Sequence, residues 1–378
     1  MSNNPGFLFT IAMFLLVIGP LVFIHELGHY FAGRLCGVKA EIFSIGFGHE
    51  ITGWTDRRGT RWKVGWLPLG GYVKFKGDMN PASTPSDEWL SLPAEERAQT
   101  FQAKPVWQRF IIVAAGPVTN FLFAIVALMI IFATIGYPST PAVVGSVEQG
   151  SVAQRAGFRS GDRIAAVDGE TISLFAELST YVALRPQQAM HFSVDRGGQP
   201  IQIDATPAEL VQRDRFGNES RIGRLGIFPS DAPKLSQLPF YQLPGAALGT
   251  TVDAVRNMIT ALGQVVSGRR TLQELGGPLK VAQVSGQQAS LGWLPFFWLM
   301  VMVSINLGFI NLLPIPLLDG GHLFFYLVEG VRRKPLRPEA QEWAFRTGLA
   351  VLLGLMIFVT FNDLASFGLF SGLRSLIG

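Results

Sequence analysis

Four long apolar segments restrict the folds that this sequence can adopt. They cover about 7–31, 110–135, 291–313 and 347–361, and each of the first three holds the roughly 20 residues that a helix needs to cross a bilayer. Of the 378 residues, 48% are hydrophobic and only 15% are charged, which is too apolar for an ordinary soluble enzyme and too charged for membrane spans alone. We predict a multi-span α-helical membrane protein with about four transmembrane helices and additional soluble segments.

The first apolar segment contains the pentad His25-Glu26-Leu27-Gly28-His29. Residues four apart share one face of a helix, so both imidazoles can bind one zinc ion, and Glu26 beside them can take a proton from water. Ionisable groups are costly inside a bilayer and are normally kept there for function. The pentad therefore predicts a hydrolytic zinc site inside a membrane. The alternatives are a buried polar cluster and a purely structural zinc site, which would use the same residues.

A catalytic zinc ion usually has three protein ligands, so a third ligand must come from elsewhere in the chain. Asp319 is the best candidate, because it follows a charge-free stretch over 281–318. Pro314 and Pro316 break the helix before it, which is tolerated at membrane depth only beside protein or a watery cavity. A helix-ending Asp-Gly turn is the alternative for Asp319. His322 could stabilise an oxyanion or could simply belong to that turn.

Basic residues flank the apolar segments unevenly. Three lie on one side, and ten lie on the other side, namely Arg34, Lys39, Arg97, Lys104, Arg109, Arg332, Arg333, Lys334, Arg337 and Arg346. Because cytoplasmic flanks carry the excess of Lys and Arg, we predict that the pentad faces the cytoplasm and that both termini and the loop over 136–290 lie outside. The same pattern accounts for the net charge of +4, so no nucleic-acid partner is expected.

The outer loop holds a separate soluble domain, predicted over 138–230. The run Ala156-Gly157-Phe158, followed by Gly161-Asp162-Arg163-Ile164 and Val167-Asp168-Gly169, resembles the PDZ family, and one copy is present. Strands are predicted over 143–147, 190–196 and 201–205. The resemblance implies an inserted PDZ-like α+β domain that binds a peptide ligand in its groove by strand addition. A domain that only fills space or blocks access is the alternative.

Two further stretches show amphipathic patterns. Residues 38–76 alternate apolar and polar side chains, with glycine-broken strands at 43–48 and 69–75, which predicts a small membrane-associated β-sheet or a cytoplasmic hairpin without a role. On the outer side, helical spacing predicts amphipathic helices within 231–290, from Val252, Val255, Met258, Ile259 and Leu262. The predicted divisions of the chain are 1–137, 138–230, 231–290 and 291–378.

The pentad in a first span, the run Asn311-x-x-Pro314-x-Pro316-x-x-Asp319-Gly320 in a later span and a PDZ insertion between them resemble the site-2 protease family. The resemblance covers nearly the whole chain. It implies that His25, His29 and Asp319 bind Zn²⁺ and that Glu26 is the catalytic base. Substrate contacts are implied for Asn311, Pro314, Pro316, Gly70, Gly71 and Tyr72. The segment 116–120 resembles a family segment that packs near the site.

The resemblance also implies the role of the chain. It predicts an intramembrane zinc metalloprotease of the bacterial inner membrane, embedded in the lipid bilayer, with its PDZ-like domain in the periplasm. Its substrate would be a single-span membrane protein, such as an anti-sigma factor already trimmed outside or a remnant signal peptide, cleaved in regulated intramembrane proteolysis. A metal-ion transporter and a membrane PDZ scaffold with a structural zinc remain as alternatives.

Overall fold

The computed structural model describes residues 6–77, 92–213, 219–232, 234–269, 277–334 and 338–366. Its helices are α1 (Phe7–Leu35), α2 (Ala94–Arg97), α3 (Val106–Thr134), α4 (Val152–Ala156), α5 (Phe175–Ala183), α6 (Leu243–Val266), α7 (Pro278–Leu291), α8 (Trp293–Leu312), α9 (Asp319–Arg332) and α10 (Pro338–Ser366). Its strands are β1 (Ala40–Thr55), β2 (Arg61–Phe75), β3 (Tyr137–Pro138), β4 (Val144–Val147), β5 (Arg163–Val167), β6 (Glu170–Thr171), β7 (Met190–Arg196), β8 (Gln199–Ala205), β9 (Ala208–Arg213), β10 (Glu219–Arg224), β11 (Ile227–Pro229) and β12 (Leu235–Ser236).

Among the described residues, four helices are long and apolar enough to cross a membrane: α1, α3, α8 and the Glu342–Leu364 part of α10. The predicted number of spans is therefore confirmed. Helix α10 begins well before the apolar segment predicted at 347–361, because Pro338 suits the start of a helix and the Glu, Ala, Gln and Arg residues after it favour helical structure.

The chain divides into two compact units. The first comprises 1–127 and 276–363, and the second comprises 128–275 and 364–378. This division separates two helices that the sequence analysis grouped within 231–290. Helix α6 belongs to the second unit, whereas α7 belongs to the first unit and packs along α1.

In the first unit, helix α1 packs against α7, α8 and the β1–β2 sheet. Val17 and Leu21 of α1 are fully buried against Phe296 and Met300 of α8. Helix α7 approaches closely at Gly286, where a β-carbon would lie 2.6 Å from the Thr10 hydroxyl oxygen. The helix that carries the pentad is thus enclosed by protein along these faces.

Helix α7 begins at an acceptor that another helix supplies. Asp363 of α10 is only 2% exposed, and its carboxylate accepts hydrogen bonds from the backbone N–H groups of Gly277 at 3.2 Å and Lys280 at 3.1 Å. The first N–H groups of a helix have no partner within that helix. The carboxylate therefore satisfies two of them and ties α10 to α7.

Strands β1 and β2 both bend, so that they form a sheet of four antiparallel segments. The segment 40–45 lies in the middle, because Phe43 pairs with Val73 on one side and with Trp62 on the other. Residues 71–75 form an outer edge of this sheet. Phe43, Val73 and Phe75 are buried in a cluster with Tyr30 of α1, which fixes the sheet against the helix that carries the pentad.

The second unit contains the predicted α+β domain. A four-stranded sheet of order β6-β5-β7-β8 packs with α4 and α5 around a buried core, which includes Ile164, Leu178 and Phe192. The strands predicted at 143–147, 190–196 and 201–205 correspond to β4, β7 and β8. The β9–β10 hairpin and strand β11, which pairs with β4, were not predicted.

The two ends of this domain lie side by side. Strand β3 precedes it and pairs with β12, which follows it, so that Pro138 is opposite Leu235. Helix α6 then forms over the region predicted to be an amphipathic helix, and its Val252, Ile259 and Leu262 are exposed. Near its end, Gln264 donates a hydrogen bond to the carbonyl of Leu184 at 2.6 Å, which attaches α6 to the domain.

Candidate active site

Three side chains from two helices converge in the first unit. Helix α1 places His25 and His29 one turn apart, with 3.2 Å between their Nε2 atoms. Asp319 at the start of α9 brings its Oδ2 within 3.1 Å of His25 Nε2 and 3.5 Å of His29 Nε2. Ligand atoms of all three lie within 4.8 Å of one another. This set matches the His and carboxylate donors of catalytic zinc sites.

When both imidazoles carry their proton on Nδ1, the two Nε2 atoms next to the buried Oδ2 of Asp319 cannot donate, and this oxygen has no hydrogen-bond donor among the described residues. A buried carboxylate oxygen without a partner is costly unless a cation or a donor satisfies it. A divalent ion bound by the two Nε2 atoms and this oxygen would remove that cost. The residues present therefore fit a zinc ion.

Each imidazole is oriented by helix α3. The Nδ1–H of His29 donates to the carbonyl of Ile112 at 2.9 Å, which leaves its Nε2 lone pair free to bind a metal ion. His25 Nδ1 lies 3.0 Å from Nδ2 of the Asn120 side-chain amide, which is fully buried, and Asn120 Oδ1 has no hydrogen-bond partner among the described residues. Exchanging the amide oxygen and nitrogen, which have nearly the same shape, turns this oxygen toward His25, so that it accepts the Nδ1–H and leaves the second Nε2 free as well. The segment 116–120 was expected to pack near the site, but no role was predicted for Asn120.

Glu26 lies beside the metal-binding cluster on the same helix and is 9% exposed. The edge segment 71–75 of the β1–β2 sheet lies next to Glu26, and the Val73 N–H interacts with its carboxylate. Gly71 is packed so tightly that a β-carbon would lie 2.8 Å from the Ser44 carbonyl oxygen and 3.1 Å from Glu26 Cγ. The absence of a side chain at position 71 therefore lets the sheet edge reach Glu26.

The two histidines, Glu26 and Asp319 line a cavity of about 400 Å³. Of the predicted substrate contacts, Gly70, Gly71, Tyr72 and Asn311 line the cavity, as does His322. Pro314 and Pro316 are not among its lining residues, and Pro316 packs against Gly348 of α10. Apolar side chains, including Phe47, Val113 and Leu307, complete the wall.

The loop before Asp319 has an unusual backbone. Leu317 has a φ of 81°, a left-handed conformation that is rare for a bulky residue and is found preferentially at functional sites. This residue lines the cavity two positions before Asp319. The two nearby prolines restrict the same loop, so that the carboxylate is presented from a stiff segment.

A buried ion pair that the sequence analysis missed fixes α9 on α3. Arg109 Nη2 lies 3.1 Å from Glu329 Oε2, and the Arg109 guanidinium stacks 4.9 Å from the ring centre of Tyr326. Tyr326 lines the active-site cavity. The sequence did offer one indication of this pair. Glu329 lies among apolar residues of a helix, and a glutamate is rarely buried there without a partner.

Comparison with known proteins agrees with this geometry. The model of Peptidase family M50 matches residues 13–355. A relative from Agrobacterium fabrum, whose name describes it as a zinc metalloprotease, is 42% identical over 361 residues, which cover 94% of this chain and 96% of the relative. The Metalloprotease MmpA of Caulobacter vibrioides is 36% identical over 388 residues, with 97% of this chain and 98% of the relative covered.

One solved structure is similar to part of the chain. The PDZ domain of the SdrC-like protein from Listeria monocytogenes covers 25% of this chain and 93% of its own, at 19% identity and a TM-score of 0.19.

Proposed function

Because the chain belongs to peptidase family M50, the site-2 proteases, we propose that it hydrolyses peptide bonds within the membrane at the cavity that contains Glu26. The hydrolytic zinc chemistry predicted from the pentad and the proteolysis implied by the resemblance are both confirmed by the family. One observation carries the proposal of the site: the His25, His29 and Asp319 ligand atoms and the Glu26 carboxylate converge in one cavity beside a helix long enough to span a bilayer.

We assign zinc binding to His25, His29 and Asp319. When bound, zinc supplies the Lewis acid that allows water to lose a proton at neutral pH and that polarises the scissile carbonyl. Glu26 accepts the proton from the attacking water and passes it to the leaving amine. The hydrogen bond from His29 to Ile112 and the contact of His25 with Asn120 hold both imidazoles in the orientation that metal binding needs.

The substrate segment binds at the edge of the sheet in an extended conformation. A helical segment hides its carbonyl groups in backbone hydrogen bonds, so it must unwind before water can attack. The edge formed by Gly70, Gly71 and Tyr72 can pair with the unwound backbone by strand addition. The Asn311 amide, which lines the same cavity, can satisfy further freed backbone groups. We assign Pro314 and Pro316 to the same substrate region through the shape of their loop.

The sheet itself associates with the membrane. Its Ile51, Trp54 and Trp66 side chains are large, apolar and exposed. Tryptophan is enriched at membrane–water interfaces, where its ring is apolar and its N–H finds a polar partner. A sheet at this depth would meet a substrate span at the level of the catalytic residues.

The chain is a bacterial membrane protein, and we place it in the inner membrane with its PDZ-like domain in the periplasm. The uneven distribution of basic residues supports this orientation, with the catalytic residues toward the cytoplasm. Its substrates would be single-span proteins, such as a trimmed anti-sigma factor or a remnant signal peptide, cleaved in regulated intramembrane proteolysis. The PDZ-like domain would bind a peptide or exclude substrates that are not yet trimmed.

Neither alternative from the sequence analysis is favoured. A metal-ion transporter or a scaffold with a structural zinc would not need a buried glutamate beside the metal ligands and a strand edge.

The substitution Glu26→Gln tests the proposed site. We expect full zinc content but a cleavage rate of a model single-span substrate that is roughly 10²- to 10⁴-fold lower, the range for loss of a general base. Glu95→Gln, at an exposed position of helix α2, is the control and should cleave at the rate of the unmodified chain. Unchanged cleavage by the Glu26→Gln variant would reject this mechanism.

A further inference from the structure

A second cavity lies in the first unit where α1 ends. It has a volume of about 410 Å³ and is lined by Arg34, Gly37, Val38, Lys39, Ala40, Arg58, Thr60 and Gln99. We refer to it as the basic pocket. It shares no lining residue with the active-site cavity, and the catalytic scheme does not use it.

The side chains of the basic pocket carry unpaired positive charge. Within the described part of the chain, Arg34, Lys39 and Arg58 form no ion pair with a carboxylate, and Arg34 donates only to the neutral Tyr30 hydroxyl at 2.9 Å. A fourth cation is adjacent, because a β-carbon on Gly37 would lie 3.4 Å from Lys104 Nζ.

The nearby carboxylates already have other partners. Glu96 forms an ion pair with Lys76 at 2.6 Å and interacts with Lys39 only at longer range. Asp56 accepts hydrogen bonds from the Trp62 indole at 3.1 Å and from the backbone N–H of Thr60 at 3.0 Å. The dipole at the end of α1 accounts for one stabilising cation, but it does not account for three cations that line one cavity with a fourth beside it. Such an arrangement favours a bound anion.

The depth of the basic pocket indicates where this anion comes from. Leu35, next to Arg34, is 89% exposed, and Trp107, close to Lys104 in sequence, is 60% exposed. Both flank the ends of spanning helices, α1 and α3. An exposed tryptophan at such a position marks the boundary between lipid headgroups and acyl chains. The basic pocket therefore lies at headgroup level with apolar side chains beside it.

We propose that the basic pocket binds the phosphodiester headgroup of an anionic phospholipid from the adjoining leaflet. Basic pockets next to spanning helices are known binding places for such headgroups. The bound phosphate would contact Arg34 at the end of α1, Arg58 in the turn between β1 and β2, and Lys39 between them. It would thereby join the helix that carries the metal ligands to the sheet that pairs with the substrate.

The test compares charge-matched variants of the full chain. Each is placed in nanodiscs of mixed phosphatidylcholine and phosphatidylglycerol, and the retained lipid is counted by native mass spectrometry. For Lys39→Gln/Arg58→Gln we expect phosphatidylglycerol binding to be about 30-fold weaker, since each cation near the surface contributes roughly a fivefold gain. The control Arg57→Gln/Arg332→Gln removes two exposed cations outside the basic pocket and should retain the lipid as the unmodified chain does.

Three comparisons keep the proposal open to refutation. Lys39→Arg/Arg58→Lys preserves the charge and should restore phosphatidylglycerol binding, which separates a charge effect from misfolding. Equal lipid retention by the two glutamine double variants would overturn the proposal. A second result would also overturn it: the detergent-solubilised chain binds inorganic phosphate, while the chain in nanodiscs retains no more phosphatidylglycerol than phosphatidylcholine. The occupant would then be a soluble anion.

Discussion

The backbone of Gly116 in α3 lies directly against the imidazole of His29 in α1. A β-carbon at position 116 would overlap Nε2 of His29 and would lie 2.9 Å from Cε1 of His25. The nitrogen atoms assigned to the metal are therefore accessible only because this residue has no side chain. The same helix supplies the Ile112 carbonyl and the Asn120 amide that orient the two imidazoles.

Substitution of Gly116 by alanine should disrupt the metal site. The added methyl group occupies space that His29 Nε2 needs, and neither helix backbone can move without breaking close contacts. We expect a large loss of bound zinc and of cleavage, measured by elemental analysis and by a single-span substrate assay. Gly19→Ala is the control, because no heavy atom lies within 4 Å of a β-carbon there. A Gly116→Ala variant with full zinc content would contradict this account of the site.

Replacement of Asn120 should weaken zinc binding through His25. Loss of a hydrogen-bond partner behind a metal-binding histidine typically lowers metal affinity or activity about 10- to 100-fold, and we expect this for Asn120→Ala. Asn120→Asp keeps an acceptor for the Nδ1–H and should retain most of the affinity. Competition with a fluorescent zinc chelator gives both values. Equal affinities for the alanine and aspartate variants would show that Asn120 acts by packing alone.

The PDZ-like domain should depend on pH through one buried ion pair. Asp162 is fully buried, and Arg196 holds both of its carboxylate oxygens at 2.7 Å. Burial alone would raise the pKa of Asp162, but the hydrogen bonds from Arg196 and from the Arg159 N–H lower it below its ordinary value. The stabilisation is therefore complete above the unfolded-state pKa of about 3.9 and is lost as pH falls through the lower folded-state pKa.

The substitution Arg196→Met tests whether this ion pair makes the stability of the domain depend on pH. The unpaired carboxylate destabilises the domain at neutral pH, and we expect amide-exchange protection in β5 and β7 to fall roughly tenfold or more. The difference from the unmodified chain should shrink at acidic pH, where Asp162 becomes protonated in both proteins. Arg163→Met, which removes an exposed arginine from β5, provides the control. A difference that does not change with pH would assign the effect to lost packing rather than to charge.

Removal of the PDZ-like domain tests its role as a size filter. Because Pro138 pairs with Leu235, residues 139–234 can be replaced by a short Gly-Ser linker without separating the two ends. We expect the shortened chain to cleave an untrimmed single-span substrate and to cleave the trimmed form at an unchanged rate. The Glu26→Gln substitution in the same shortened chain controls for a contaminating protease. If cleavage still requires prior trimming, the domain is not the filter.

The sequence predicted those features that depend on local periodicity. His25 and His29 lie four residues apart, so any helix through them places both imidazoles on one face. The four spans and the strands of the α+β domain were likewise predicted, because apolar length and alternation are properties of neighbouring residues. Asp319 was identified as a candidate from its isolation after a long uncharged stretch. Its place beside the two histidines follows from the packing of α9.

Other features depend on contacts between distant segments. Asn120 and Glu329 have no sequence pattern that reveals their partners, because their contacts arise when α3 packs against α1 and α9. The sheet was expected to form short strands, but Gly46 and Gly48 adopt positive φ values of 87° and 84°, which let β1 bend between the segment that pairs with 71–75 and the segment 50–55.

The sequence alone thus determined the membrane class, the pair of histidines and the choice of Asp319, since each rests on the order of residues along the chain. Only the tertiary structure decided that Gly116 makes room for the Nε2 atoms of the two histidines, that the sheet edge reaches Glu26 and that three cations line one pocket with a fourth beside it. Those relationships depend on how closely helices and strands approach one another, and close approach is set by packing across the whole unit rather than by neighbouring residues.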